Sequence, residues 1–244
     1  MNDLVDKAID AAGGMARWRE IETIDARLSL TGGLFNIKGL GGIENILMHV
    51  DARRPAVDTS PYGGVGHVGH YTEEKTWITD SAGKVFEERV DPRARMLGAK
   101  MTDPWDQIGR LYFSSYAIWT YLTTPFLLAS DGLEITALDP HEEAGESWSR
   151  LRVRFPKEVP SHSEIQTYYF NDKGLLQRLD YETDVAGGIA AHYCHDHLPF
   201  GGIMFPTLRR VVKRSPQDVG LLGVPTGVLL TLTDIYVRQR PAQG

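Results

Sequence analysis

The sequence predicts an α+β fold: a single curved antiparallel β-sheet, an unclosed barrel, with an N-terminal helix and a central helical pair covering its concave side. Three observations predict it. Much of the chain alternates with a period of two; Leu151, Val153 and Phe155, for example, interleave with Arg150, Arg152 and Arg154. That is the pattern of strands with one buried and one wet face, which belongs to antiparallel sheets. Helical spacing is confined to residues 3–12 and 103–130, so strands do not alternate with helices and a parallel βαβ sheet is excluded. Finally, glycines fall inside the strand-like segments, where they mark the bulges and close backbone approaches of a curved sheet.

Each element follows from its residues. Asp3 can cap a helix over 3–12, with Leu4, Val5, Ala8, Ile9 and Ala12 on one stripe and Gly13-Gly14 as its stop. From Trp18 to about residue 100 the texture is that of a first meander of about five strands. Lys75–Thr79, the turn Asp80–Gly83 and Lys84–Arg89 read as its clearest hairpin. The helical lid spans 103–130: Asp103 reads as an N-cap, Pro104 takes the first helical position and Asp106 lies in the first turn. Thr124-Pro125 repeats the cap-plus-proline signal for a second short helix, which Asp131-Gly132 ends. A second meander of six or seven strands fills 132–238, with Asn171–Gly174 as a hairpin turn. One domain over residues 1–244 accommodates all of it.

This order of elements, a helix, a meander, a helical insertion and a further meander, resembles the LolA/LolB and LppX lipoprotein-carrier superfamily. The resemblance covers nearly the whole chain and lies in element order. It implies an unclosed barrel with helices as a lid over an apolar cavity. A soluble enzyme of violacein biosynthesis uses the same fold without an export signal, so the resemblance is compatible with either a carrier or a cytoplasmic enzyme.

Composition narrows the setting. With 42% hydrophobic and 24% charged residues, the chain is an ordinary globular protein. A formal net charge of −6 argues against nucleic acid as a partner. The one dense basic run, Leu208–Arg214, reads as a strand with solvated basic positions. One cysteine, Cys194, excludes an internal disulfide framework. No secretory signal and no membrane span is readable, so a cytoplasmic location without membrane insertion is expected. A homodimer is compatible with all of this.

The chemistry is harder to read. Gly64–Gly69, GVGHVG, matches the spelling of a dinucleotide loop, but residues 51–61 make a poor buried strand and a hairpin, not a helix, follows. It reads as flexible backbone entering a strand, and no cofactor is expected. Among the eight histidines, two groups are local: His67 with His70, and His192 with His195 and His197. If a metal binds, His195 and His197 on one side of a strand, joined by His67 or His70, are its ligands. The densest polar cluster is residues 191–197, where alternation sets His192, Cys194 and Asp196 on one face and Tyr193, His195 and His197 on the other.

These residues lead to the main expectation, a cofactor-free small-molecule enzyme of lyase, isomerase, cyclase or hydratase type. His192 would be its proton shuttle with Asp196 or a tyrosine, and Tyr193 and His162 complete the catalytic candidates. Trp105, Tyr112, Tyr116, Trp119 and Tyr169 would line a cavity for a small hydrophobic or aromatic molecule. Two other readings stand beside it: a non-catalytic carrier or sensor of a lipid or other hydrophobic ligand, and a His-ligated metalloenzyme.

Overall fold

The computed structural model describes residues 3–240. It contains one antiparallel sheet of thirteen strands: β1 (Ile21–Thr31), β2 (Ile43–Asp51), β3 (Val57–Ser60), β4 (Val68–Tyr71), β5 (Lys75–Thr79), β6 (Val85–Val90), β7 (Glu134–Glu143), β8 (Glu146–Arg154), β9 (Ile165–Phe170), β10 (Leu176–Glu182), β11 (Ile189–Phe200), β12 (Ile203–Lys213) and β13 (Val228–Gln239). Their spatial order is β6-β5-β4-β3-β2-β1-β13-β12-β11-β10-β9-β8-β7. Each meander is therefore a run of neighbours, and the pairing of β1 with β13 joins the two. β6 and β7 are the two edges, so the barrel is unclosed, as the resemblance implies.

Among the described residues five α-helices accompany the sheet: α1 (Asp3–Ala11), α2 (Met15–Glu20), α3 (Gly33–Ile37), α4 (Pro92–Met96) and α5 (Gln107–Thr123), followed by a 3₁₀ turn at Phe126–Ala129. The expected helical pair is thus α5 and the 3₁₀ turn. α5 begins later than Asp103-Pro104 suggests: its N-cap is Asp106, whose carboxylate accepts from the Gly109 amide. Trp105 consequently precedes the helix rather than riding on it. The short helices α2, α3 and α4 fall where the sequence reads as uninterrupted meander, and α4 uses the same Asp-Pro start, with Asp91 as the cap.

α5 does not lie over the sheet as a surface lid. Every residue from Ile108 to Thr123 is buried. The concave face supplies the other half of this core, with Ile24, Ala26, Leu28, Met48, Val50, Leu151, Val153, Tyr168 and Leu230 all pointing inward. A helix this apolar on all sides belongs inside a protein rather than on it. Gly69, the last glycine of GVGHVG, shows how close the approach is: a Cβ there would stand 2.7 Å from Leu111 of α5. Only glycine lets β4 and α5 meet at that distance, which gives the motif its structural role.

Candidate functional site

Three regions could carry function: a polar network inside the sheet, a second polar cluster on the convex face, and an open cleft at the β6 edge.

The interior network contains His162 and His192. His162, on the segment between β8 and β9, is fully buried with Tyr116 Oη 3.0 Å from Nδ1 and Tyr121 Oη 2.6 Å from Nε2. Its ring stacks on Tyr181 at 4.1 Å. His192 faces the concave side and is equally buried, 3.4 Å from Tyr181 Oη through Nδ1 and 3.4 Å from the Arg209 guanidinium through Nε2. Arg209 also donates to Cys194 Sγ and to the Tyr121 carbonyl near the C-terminal end of α5, where a cation offsets the helix dipole. Alternation left Arg209 among solvated positions; it is instead 2% exposed and holds the sheet to the helix.

These groups are poor acid–base catalysts. Burial, helped by the charge on Arg93, holds His162 down to about 3. Burial, then the charge on Arg209, also pushes His192 well below its ordinary value. Burial raises Tyr121 to about 12 and Cys194 above its usual range. Near neutral pH each is fixed in its neutral form, far from the matched pKa that proton transfer needs. Neither imidazole lines a cleft among the described residues.

The other catalytic candidates are dispersed. Asp196 has φ of +53°, which breaks the alternation of β11. It turns out to solvent, away from His192, while His197 turns inward to line the same small void as Arg209. Tyr193 lies on the convex face and donates to Glu143 at 2.6 Å. Tyr169 is there too, donating to Asp180 at 2.8 Å. Both pack round Arg178, which is fully buried and pairs through two nitrogens with Asp180 and through a third with Glu143. This convex cluster is closed by its own ion pairs. Burial would raise Glu143, but the hydrogen bonds from Tyr193 and Arg178 bring it below the usual carboxylate range.

The metal arrangement does not form. Five strands separate β4, which carries His70, from β11, which carries His195 and His197. At about 4.8 Å per strand no single ion spans that gap. His70 instead contacts Asp58 and Thr79, His67 packs beside Phe86, and His195 is exposed next to Tyr193. No set of three or more ligating side chains is grouped for a metal among the described residues.

Of the expected cavity-lining aromatics, Tyr112 and Tyr116 belong to the interior and Tyr169 to the convex face. Trp119 lines a cleft of about 330 Å³ with Trp18, Phe126 and Pro160 at the C-terminal end of α5. Trp105 lines a larger cleft, about 880 Å³, at the opposite end. Its walls are Glu88–Val90 of β6, residues 95–99 at the end of α4, and residues 103–106 with Gly109. Val90 is 69% and Leu97 56% exposed at its rim. Other exposed apolar side chains belong to segments tied to this end: Ile37 next to Lys38, whose ammonium donates to the Lys100 carbonyl, Met101 beside that carbonyl, and Phe86 against His67. Arg89 bonds the carboxylate of the α5 cap Asp106 and fixes β6 to the helix.

No known family model matches the sequence, and no curated protein matches it. Solved structures do. The chain superposes on a domain described as an outer membrane lipoprotein-sorting protein from Vibrio parahaemolyticus, with a TM-score of 0.53, 10% identity and 99% of this chain against 93% of that one. A LolA superfamily protein from Nitrosomonas europaea matches with a TM-score of 0.53 at 10% identity, over 97% and 93% of the chains. A DUF1329 family protein from Desulfovibrio piger matches with a TM-score of 0.51 at 10% identity, over 96% and 92%. The chain therefore has the LolA-like fold. The expected His-centred enzyme is corrected accordingly: the fold is shared with a lipoprotein-sorting domain and a LolA superfamily protein, and the imidazoles meant for catalysis are sealed in the core.

Proposed function

We propose that the protein is a non-catalytic carrier or sensor of a lipid or other hydrophobic ligand, which binds in the cleft beside β6. The observation that carries this reading is a cleft of about 880 Å³ with exposed Val90 and Leu97 on its rim and buried Trp105 and Met96 on its walls. Its size lies within the usual range of small-molecule sites, and apolar side chains exposed together at a cleft are what a binding surface offers. The sorting role named for the Vibrio domain of the same fold agrees with it.

A fluorescent acyl probe tests the proposal. Emission from Trp105 is quenched as the probe enters. Affinity rises about fourfold per added methylene until the cleft is filled, the factor that about 0.8 kcal/mol per buried methylene gives. Native mass spectrometry of the purified protein then shows a lipid adduct of unchanged chemistry. A flat chain-length series, or a bound molecule that is chemically converted, contradicts the proposal.

A further inference from the structure

The two edges of the sheet are treated differently. An edge strand presents unpaired main-chain groups, and proteins usually blunt it with charge, proline or a covering element. β7 follows that rule: Glu134, Asp139, Pro140 and Glu142 are all exposed along it. β6 does not. Its outer main-chain groups have no backbone partner among the described residues. Val85, Phe86 and Val90 are exposed on it, and its C-terminal half forms a wall of the open cleft. Space, free main-chain donors and acceptors, and apolar side chains thus coincide along one strand.

Charge selects the occupant. On β6, Arg89 is engaged by Asp106 and Glu88 by Lys75 at 2.5 Å, but Glu87 has no charged partner among the described residues. A second copy is a poor fit. Symmetric antiparallel pairing of two β6 strands about their centre sets Glu87 opposite Glu87 or Glu88 opposite Glu88, and like charges directly opposite are destabilising. Pairing with the β7 of another copy meets Glu134, Asp139 and Glu142 instead, again acid against acid. An extended peptide that alternates apolar and basic residues meets none of these conflicts. Its main chain continues the ladder, its basic side chains face Glu87, and its apolar side chains cover Val85 or Val90.

We infer that β6 is a docking edge for an extended, basic–apolar peptide segment of a partner protein, which adds to the sheet as a fourteenth strand. Strand addition of this kind takes its affinity from main-chain hydrogen bonds and its selectivity from alternate side chains. The inference rests on the edges of the sheet and shares only a cleft wall with the ligand reading.

The test uses a fluorescein-labelled peptide of alternating valine and lysine, six residues long, with capped ends, on the full chain. It is compared with its valine–glutamate counterpart and with a lysine peptide N-methylated on the backbone nitrogens of one edge. The lysine peptide binds about fivefold or more tighter than the glutamate peptide, the ratio that a cross-strand charge pair of about 1 kcal/mol gives. Glu87→Lys reverses the preference and Glu87→Gln removes it, each with an unchanged circular-dichroism spectrum. N-methylation abolishes binding, and amide exchange slows along residues 85–90. Equal binding of the N-methylated peptide, or binding without protection of 85–90, overturns the inference. So does the absence of any binding, or a peptide-free dimer whose 85–90 amides are already protected. Titration of the acyl probe in the same preparation reads the ligand proposal separately, so either can fail alone.

Discussion

The interior around His162 and His192 and the cleft beside β6 are opposites. The interior holds two imidazoles, three tyrosines, a thiol and a guanidinium within one hydrogen-bonded and stacked network, yet both imidazoles are fully buried. The cleft is open, with exposed Val90 and Leu97 sharing its rim with Glu88, Arg95, Asp103 and Asp106, and most of these charged groups are engaged: Asp106 with Arg89, Glu88 with Lys75, Asp103 with the Lys100 amide. Around His162 and His192, reactive side chains and solvent access do not coincide. The difference teaches that a dense cluster of titratable residues can serve cohesion. A buried imidazole needs hydrogen-bond partners, and partners good enough to keep it buried also hold its proton in place.

Substitutions separate the two regions. The largest effect belongs to the interior. His162→Ala removes the shared partner of Tyr116 and Tyr121 and leaves a cavity beside Tyr181. Chemical denaturation should show a loss of about 3–5 kcal/mol, with affinity for an acyl probe unchanged in the folded fraction. Loss of probe affinity with stability intact would merge the two regions and undo the comparison.

The next effect is in pH. His162 and His192 have folded-state pKa values below the ordinary 6.5, so the unfolded chain takes up protons that the folded chain excludes. The contribution of His162 is complete above about pH 6.5 and is lost as the pH falls from there toward 3, at about 1.4 kcal/mol per pH unit, and His192 acts in the same direction. The difference in unfolding free energy between wild type and His162→Gln, measured from pH 7 to pH 5, should therefore slope by about that amount. A flat difference would mean that His162 titrates normally and is not sealed.

The smallest effect on stability belongs to the rim. Val90→Asp with Leu97→Asp changes exposed side chains and should alter unfolding free energy by no more than about 0.5 kcal/mol per site. The same pair should weaken an acyl probe roughly tenfold, because each carboxylate replaces apolar contact area with a group that stays hydrated. A double variant that binds as well as wild type would move the ligand elsewhere.

The sheet was legible because alternation along a strand is a local property. Arg150–Phe155 shows its two faces without reference to any neighbour, and all seven strands of the second meander follow from such runs. Short helices were not: α2, α3 and α4 are five or six residues long, too short for periodicity to show. The Asp91-Pro92 pair that starts α4 was nevertheless the same signal as Asp103-Pro104. The site was less legible for two reasons. One positive φ at Asp196 ends the alternation on which the facing of residues 192–197 depends, and nothing in the residue names announces it. The cleft is assembled from a strand edge, a helix end and a loop, none of which carries a motif. Of its wall residues the sequence marks Trp105 alone as a ligand contact; Asp103, Pro104 and Asp106 read as helix-start signals, and Val90, Met96 and Leu97 carry no signal of their own. Its one available signal was the run of apolar residues, Val90, Met96, Leu97 and Met101, scattered through a charged and glycine-containing stretch.

The central claim is that ligand access and titratable chemistry occupy different places, and photolabelling tests it most directly. A fatty acid carrying a diazirine on its chain is irradiated with the full-length protein, and the labelled peptides are mapped by mass spectrometry. The account predicts labels on residues 88–106, concentrated at Val90, Leu97 and Trp105, that an excess of unlabelled fatty acid removes. Labels on Tyr181, His192 or Cys194 would place the ligand among the imidazoles and contradict it.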